Sequence, residues 1–173
     1  MTRQVSPFWP LEWWTAWWDA WSPEAYVAPL DDSGQAGALA RLHATAFARP
    51  WDRHEFERML CERSTLTHAL WRSGAVQGFV LSRKVADEAE ILTVVVSPSL
   101  RGGGLSRRLL GEHLSDLARS GIRHVHLEVD EGNDPALRLY ARHGFRKIGE
   151  RTGYYLRPDG SRATALTMRA DIA

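Results

Sequence analysis

Apolar residues recur along this chain in two rhythms, every second residue and every third or fourth, and the switches between them mark the elements. Tyr26–Leu30 predicts a short strand, and the stretch from about Ser33 to Phe47 an Asp-capped helix. A loop, 48-ARPWD-52, leads to a second helix around Arg53–Cys61. The runs 66-LTHALWR-72 and 75-AVQGFVLSRK-84 flank a Ser-Gly turn and read as paired antiparallel strands. In 90-EILTVVV-96 the apolar end is unbroken, which predicts a strand buried on both faces. After a Gly-rich turn, a long helix runs to about Ser120 and stops at Gly121. Strand 123-RHVHLEV-129 follows, then helix 134-DPALRLYARH-143, with Asp134 as its expected cap and Pro135 in its first turn. Gly144 closes that helix, and 145–156 and 162–170 form a hairpin across Pro158-Asp159-Gly160. Strands first antiparallel, then one βαβ crossover, make this an α+β chain.

The head differs from everything after it. Six of the eight tryptophans lie in 8-FWPLEWWTAWWDAWSP-23. At ~100° per residue, Trp13, Trp14, Trp17, Trp18 and Trp21 fall within about 140° of one another, opposite Glu12, Thr15, Ala16 and Asp19. We expect an amphipathic helix in a 1–24 extension, ahead of a catalytic domain over 25–173. Its aromatic face either docks on the domain or forms an interface between copies. Membrane binding is not expected, because only Arg3 stands against Glu12, Asp19 and Glu24.

Composition narrows the picture modestly. With 173 residues, 44% hydrophobic and 25% charged, the chain can bury one proper core. A net charge of +1 singles out no partner by itself, and no direct nucleic-acid contact is expected. Of 22 basic residues 20 are Arg, the better bidentate binder of phosphate. The single Cys61 excludes an intrachain disulfide framework. With no leader-like segment and no apolar run long enough to span a membrane, a cytoplasmic location is expected.

The stretch 95-VVSPSLRGGGLSRRLLGEHL-114 carries the first chemistry. It lacks the P-loop Lys-Ser/Thr, and Arg107 stands where a dinucleotide fingerprint needs its third glycine. What remains is Arg101-x-x-Gly104-x-Ser106 between a strand and a helix. The amides of Gly102, Gly103, Gly104, Leu105, Ser106 and Arg107 sit at a helix start, flanked by Arg101, Arg107 and Arg108: a nest for a pyrophosphate. The plainer alternative is a flexible loop before a well-started helix.

Glu128 stands inside an otherwise apolar strand, where a carboxylate needs a partner or a task. Desolvation would raise its pKa toward general-base range, and a structural ion pair is the competing reading. His124, His126 and Glu128 alternate, so they share one face. A metal could use that spacing, but no further ligand cluster accompanies it, and no metal is expected. Tyr140 read alone is a core tyrosine, and Asn133 a residue approaching a helix.

These pieces resemble the GNAT superfamily of N-acetyltransferases, whose signature is Arg/Gln-x-x-Gly-x-Gly/Ala after a strand. Within it the likeness is strongest to the ribosomal-protein alanine N-acetyltransferases. It rests on 45-TAFARPW-51, 87-DEAEILTVVVSPSLRGGGLSRRLL-110, 127-LEVDEGNDPALRLYARHGFRKIG-149, 154-YY-155 and 159-DG-160. Ser106 departs from the usual Gly/Ala. The resemblance implies a mixed, mostly antiparallel sheet flanked by helices, with acetyl-CoA as acyl donor. Val94, Val95 and Val96 would pair with the pantetheine arm and polarise the thioester carbonyl, while Arg101 to Arg107 wrap the pyrophosphate. Asn133 would touch the coenzyme, Glu128 would serve as base through water, and Tyr140, beside the coenzyme, as acid. Trp51, Tyr154 and Tyr155 would line the acceptor cleft. The implied acceptor is an α-amine, the N-terminal alanine of a small-subunit ribosomal protein or a similar peptide. Small-molecule amine acetylation is an alternative on the same scaffold. A non-catalytic acyl-CoA-binding or partner-docking module is another, and release of free thiol from acetyl-CoA with a peptide beginning Ala-Arg separates it from an enzyme.

Overall fold

The computed structural model describes residues 24–156 and 162–172, so the Trp-rich head and the 158–160 turn lie outside the described residues. One seven-stranded sheet carries the molecule, in the order β1-β2-β3-β4-β5-β7-β6. Its strands are β1 (Tyr26–Pro29), β2 (Thr65–Arg72), β3 (Ala75–Val85), β4 (Glu88–Val96), β5 (His124–Asp130), β6 (Arg146–Leu156) and β7 (Arg162–Asp171). Every neighbouring pair is antiparallel except β4 with β5. The α+β class with one parallel crossover is therefore what the molecule adopts.

Helices cover both faces. Helices α1 (Ala36–Ala44) and α2 (Arg53–Cys61) lie on one side, α3 (Leu105–Arg119) and α4 (Asp134–Arg142) on the other. Strand alternation divides the core accordingly: Phe79, Leu81 and Val95 join Leu39 and Phe56 under α1 and α2. Val80, Val96, Val125 and Leu127 join Leu109, Leu110 and Leu117 under α3 and α4. The Val94–Val96 run thus feeds both cores, as its unbroken apolar character predicts.

Two local expectations need correction. The first helix is shorter than its apolar rhythm: a 3-10 turn at Ser33–Gln35, capped by Asp32 at 2.8 Å to Gly34 N, precedes α1, which ends at Ala44. The residues beyond Ala44 keep helical spacing but build the loop to α2. Helix α4 is capped by Asn133, whose side chain accepts from Ala136 N at 3.3 Å; Asp134 is its first residue. Asn and Asp cap equally well, and the extra acidic group in the first turn suits the helix dipole.

One of the sheet's register irregularities makes the site. The parallel ladder holds only from Glu88↔His124 to Ile91↔Leu127. On the other side of β4 the register with β3 slips between Leu81↔Thr93 and Ser82↔Ile91, leaving Leu92 as an extra residue. Such a bulge bends its strand. Beyond it, β4 follows β3 while β5 follows β7, and the two part.

Candidate active site

Between the parted strands lies a cleft of ≈ 750 Å³. Thr93 and Val94 of β4 and Glu128 of β5 line it, with Asn133 and Tyr140 closing one end and Ala46 and Phe47 another. Residues far apart in sequence thus meet in one concavity: the strand end, the carboxylate, the helix cap and the phenol.

Directly after β4 comes the Gly-rich turn. Gly102 and Gly104 adopt φ +83° and +77°, a conformation that side-chain-bearing residues rarely take, and nothing within 4 Å would meet a Cβ at Gly104. Gly104 caps α3 without any side-chain bond. Among the described residues the amides of Gly102 to Ser106 have no backbone acceptor. Free amides at a helix start suit the phosphates of a coenzyme. The arginines divide their work. Arg101 Nε donates to Val96 O at 3.2 Å, bracing the turn on β4. Arg108 Nη1 donates to Ala25 O at 2.8 Å. Arg107 stays exposed beside the turn. His143, at the end of α4, contacts the Arg107 carbonyl at 3.2 Å and so ties α4 to α3.

Glu128 is neither isolated nor deeply buried. Arg151 Nη1 lies 3.1 Å from its Oε1, reaching over β7 from β6, and the carboxylate side chain is 22% exposed. The ion pair weighed against catalysis therefore exists, within the cleft. Its neighbours on that face lie near other carboxylates: His124 bonds Asp171 at 2.8 Å, while His126 Nε2 stands 3.7 Å from Glu88 with no hydrogen-bond partner among the described residues. No group of three metal ligands occurs among the described residues. Tyr140 is 8% exposed, packs against Phe145 at 5.7 Å and faces the cleft.

After α1 the cleft wall is Phe47 and Ala46, whereas Trp51 stacks on His43 and does not line the cleft. Tyr154 and Tyr155 fall on β6, with Tyr155 opposite Ala163, and their side chains lie outside the described residues. Three features were missed by sequence reasoning. Phe47 stood inside the expected helix. The Thr93 hydroxyl is buried in the cleft wall with no partner among the described residues. Beneath α3 a polar chain is buried: Ser82 Oγ lies 2.7 Å from His113 Nε2, His113 Nδ1 3.0 Å from His68 Nδ1, and His68 Nε2 2.7 Å from Asp116 Oδ2.

The proton positions in that chain follow from its ends. Asp116 accepts from His68 Nε2, and with His68 kept neutral by burial its Nδ1 accepts from His113 Nδ1–H. His113 Nε2 then accepts from the Ser82 hydroxyl. Both imidazoles are neutral in this arrangement. Burial, with His68 nearby, pushes His113 down to about 3, and burial also lowers His68.

Known proteins agree with this geometry. Residues 3–145 match the model of the acetyltransferase (GNAT) family. N-alpha-acetyltransferase RimI of Mycobacterium tuberculosis is 39% identical over 142 residues, 79% of this chain and 86% of that protein. The crystal structure of the ribosomal-protein-S18-alanine N-acetyltransferase from Escherichia coli superposes with a TM-score of 0.81 at 28% identity, covering 87% of this chain and 95% of that one. Arabidopsis thaliana NAA60, solved in complex with acetyl-CoA, shares the fold at 22% identity and a TM-score of 0.74, over 86% of this chain and 99% of its own. The chain belongs to the acetyltransferase (GNAT) family and is an acetyl-CoA-dependent N-acetyltransferase.

Proposed function

We propose that the protein acetylates the α-amine of a peptide or protein beginning with alanine, a small-subunit ribosomal protein being the model acceptor, in the cytoplasm. The observation that carries this is the cleft at the parted strands, where Glu128, Tyr140 and the Phe47 wall converge at the end of β4. The likeness to an S18-alanine N-acetyltransferase supports the choice of acceptor.

In this reading residues 25–173 are the catalytic domain and 1–24 an extension. The amides of Gly102 to Ser106, with the Arg101 and Arg107 side chains, receive the pyrophosphate. Backbone groups of Val94 to Val96 on the cleft side of β4 hold the pantetheine arm and polarise the thioester carbonyl. The side-chain oxygen of Asn133 caps α4, so its amide nitrogen is the group offered to the coenzyme. Glu128 takes a proton from the acceptor ammonium through water. The free amine attacks the carbonyl carbon, a C–N bond forms as the C–S bond breaks, and Tyr140 protonates the departing thiolate. Phe47 and Trp51 with Tyr154 and Tyr155 shape the acceptor site.

The test is thiol release from acetyl-CoA with three acceptors: a peptide beginning Ala-Arg, the same peptide blocked at its α-amine, and a small alkyl amine. Turnover with the first alone is expected. Equal turnover with the alkyl amine would assign the enzyme to small-molecule acetylation, and no turnover with any would favour a binding module.

A further inference from the structure

One histidine receives both ends of the loop that forms the acceptor wall. The His43 carbonyl accepts the amides of Ala46 at 3.0 Å and Phe47 at 3.1 Å, where the chain leaves α1. Its ring Nδ1 accepts the amide of Trp51 at 3.1 Å, just before Asp52 caps α2. The ring also lies between two others, Phe47 at 4.2 Å and 18°, and Trp51 at 4.7 Å and 9°. Phe56 meets its edge at 5.6 Å. Within this stack His43 is 3% exposed. An accepting Nδ1 requires the proton on Nε2 and a neutral ring. Burial supplies that condition, pushing the imidazole down to about 4 against the weaker opposing pull of Glu55.

We propose that His43 is a positioning residue for acceptor binding: it folds residues 45–51 into the conformation that presents Phe47 and Ala46 to the cleft. A histidine that merely filled space would need the stack alone. Here the ring nitrogen also fixes the chain four residues beyond Phe47, so the wall is held from both sides. Nothing in this arrangement touches the Gly-rich turn, and its influence is therefore selective for the acceptor. The role rests on the reading of this cleft as the acceptor side of acetyl transfer.

Two variants separate the parts. His43→Phe keeps a stacking ring and loses the acceptor, whereas His43→Asn keeps an acceptor near Nδ1 and loses the ring. Two readouts are needed: exchange of the Trp51 amide by NMR, and kcat and KM for both acetyl-CoA and a peptide beginning Ala-Arg. In His43→Phe, Trp51 exchange should accelerate by at least about tenfold, as a bond lost locally rather than globally. Its peptide KM should rise about tenfold while the acetyl-CoA KM stays within about twofold, the signature of lost acceptor binding. His43→Asn should retain Trp51 protection and recover part of the peptide KM. Unchanged Trp51 exchange in His43→Phe, or an equal rise in both KM values, would overturn the proposal. A parent protein that acetylates no peptide would sink the acceptor reading instead, and Trp51 exchange would still decide whether His43 holds the loop.

Discussion

The two faces of the sheet each bury neutral histidine, and they use it differently. Under α3, His68 and His113 sit in a directional hydrogen-bonded chain that begins on β3 at Ser82 and ends at Asp116, which also pairs with Arg119. Under α1 and α2, His43 has one bond to the chain and otherwise aromatic faces. Hydrogen bonds in series fix angles as well as distances, so α3 is locked on the sheet in one orientation. Stacked rings hold a plane while tolerating sliding within it. In the proposed reading the rigid fastening holds the helix whose start would face the coenzyme phosphates. The more compliant one holds the wall that would meet acceptors.

The strongest test of this division is Gly104→Glu. At φ +77° any side chain is strained, and the added charge sits at the proposed phosphate site. Acetyl-CoA binding, followed by calorimetry, should be lost, while Trp51 exchange stays at the parental rate. Loss of both would mean that the faces are coupled.

Next in size is Glu128→Gln, which keeps shape and removes the base. The kcat should fall about 10²–10⁴-fold and recover partly at high pH, where the amine deprotonates unaided. Arg151→Ala distinguishes the two roles of the pair: a purely structural Glu128 would lose stability in both variants and turnover in neither.

His113→Leu breaks the polar chain at its middle and strands Ser82 and His68. A loss of about 3 kcal/mol in urea unfolding is expected, since each buried group left unsatisfied costs about 1–3 kcal/mol. His43→Phe, which strands one partly buried amide, should lose less. Equal losses would erase the distinction between the fastenings.

Acidification acts on both faces with a common sign. His43 and His113 have folded pKa values of about 4 and about 3, below the 6.5 of an unfolded chain. Below pH 6.5 the unfolded state binds more protons, so stability is full above that value and is lost as pH falls toward the folded values. At pH 5 each such histidine should cost about 2 kcal/mol. Urea titrations at pH 7 and pH 5 should show this, and the double variant His43→Phe/His113→Leu should flatten the dependence.

The smallest effect concerns two hydroxyls. Thr67 and Thr93 bury Oγ1 without a partner among the described residues, and only Thr93 lines the cleft. Thr67→Val should leave stability and turnover within about 0.5 kcal/mol or improve stability slightly. Thr93→Val measured beside it shows whether the cleft hydroxyl matters to substrate; identical kinetics would assign it to packing.

How much of this was readable beforehand depends on range. The Gly-rich turn, the strand before it and the helix after it are local, and their residues announce them through composition and rhythm. Glu128 stood out because a carboxylate interrupts an apolar alternation. The buried chain did not, because its contacts span 31, 45 and 48 residues and arise only when α3 packs on β2 and β3. His68 and His113 individually look like ordinary polar positions in a strand and a helix. The Leu92 bulge was equally hidden, since an extra residue in a register leaves no mark on a single strand. Phe47 keeps helical spacing, so its rhythm alone does not separate the end of α1 from the loop that lines the cleft.

The short parallel ladder has a mechanical meaning. Strands β1 to β4 form one leaf and β5 to β7 another, and the strand pairing between them is four residue pairs at a single margin. The rest of the spine is open. A molecule lying along β4 and touching Asn133 and Tyr140 fills the gap that the missing ladder leaves, so it completes the sheet that contains it. In the proposed mode, occupancy should therefore slow exchange of the cleft-facing amides on both leaves together, and the donor would serve as a temporary eighth strand of the enzyme that consumes it.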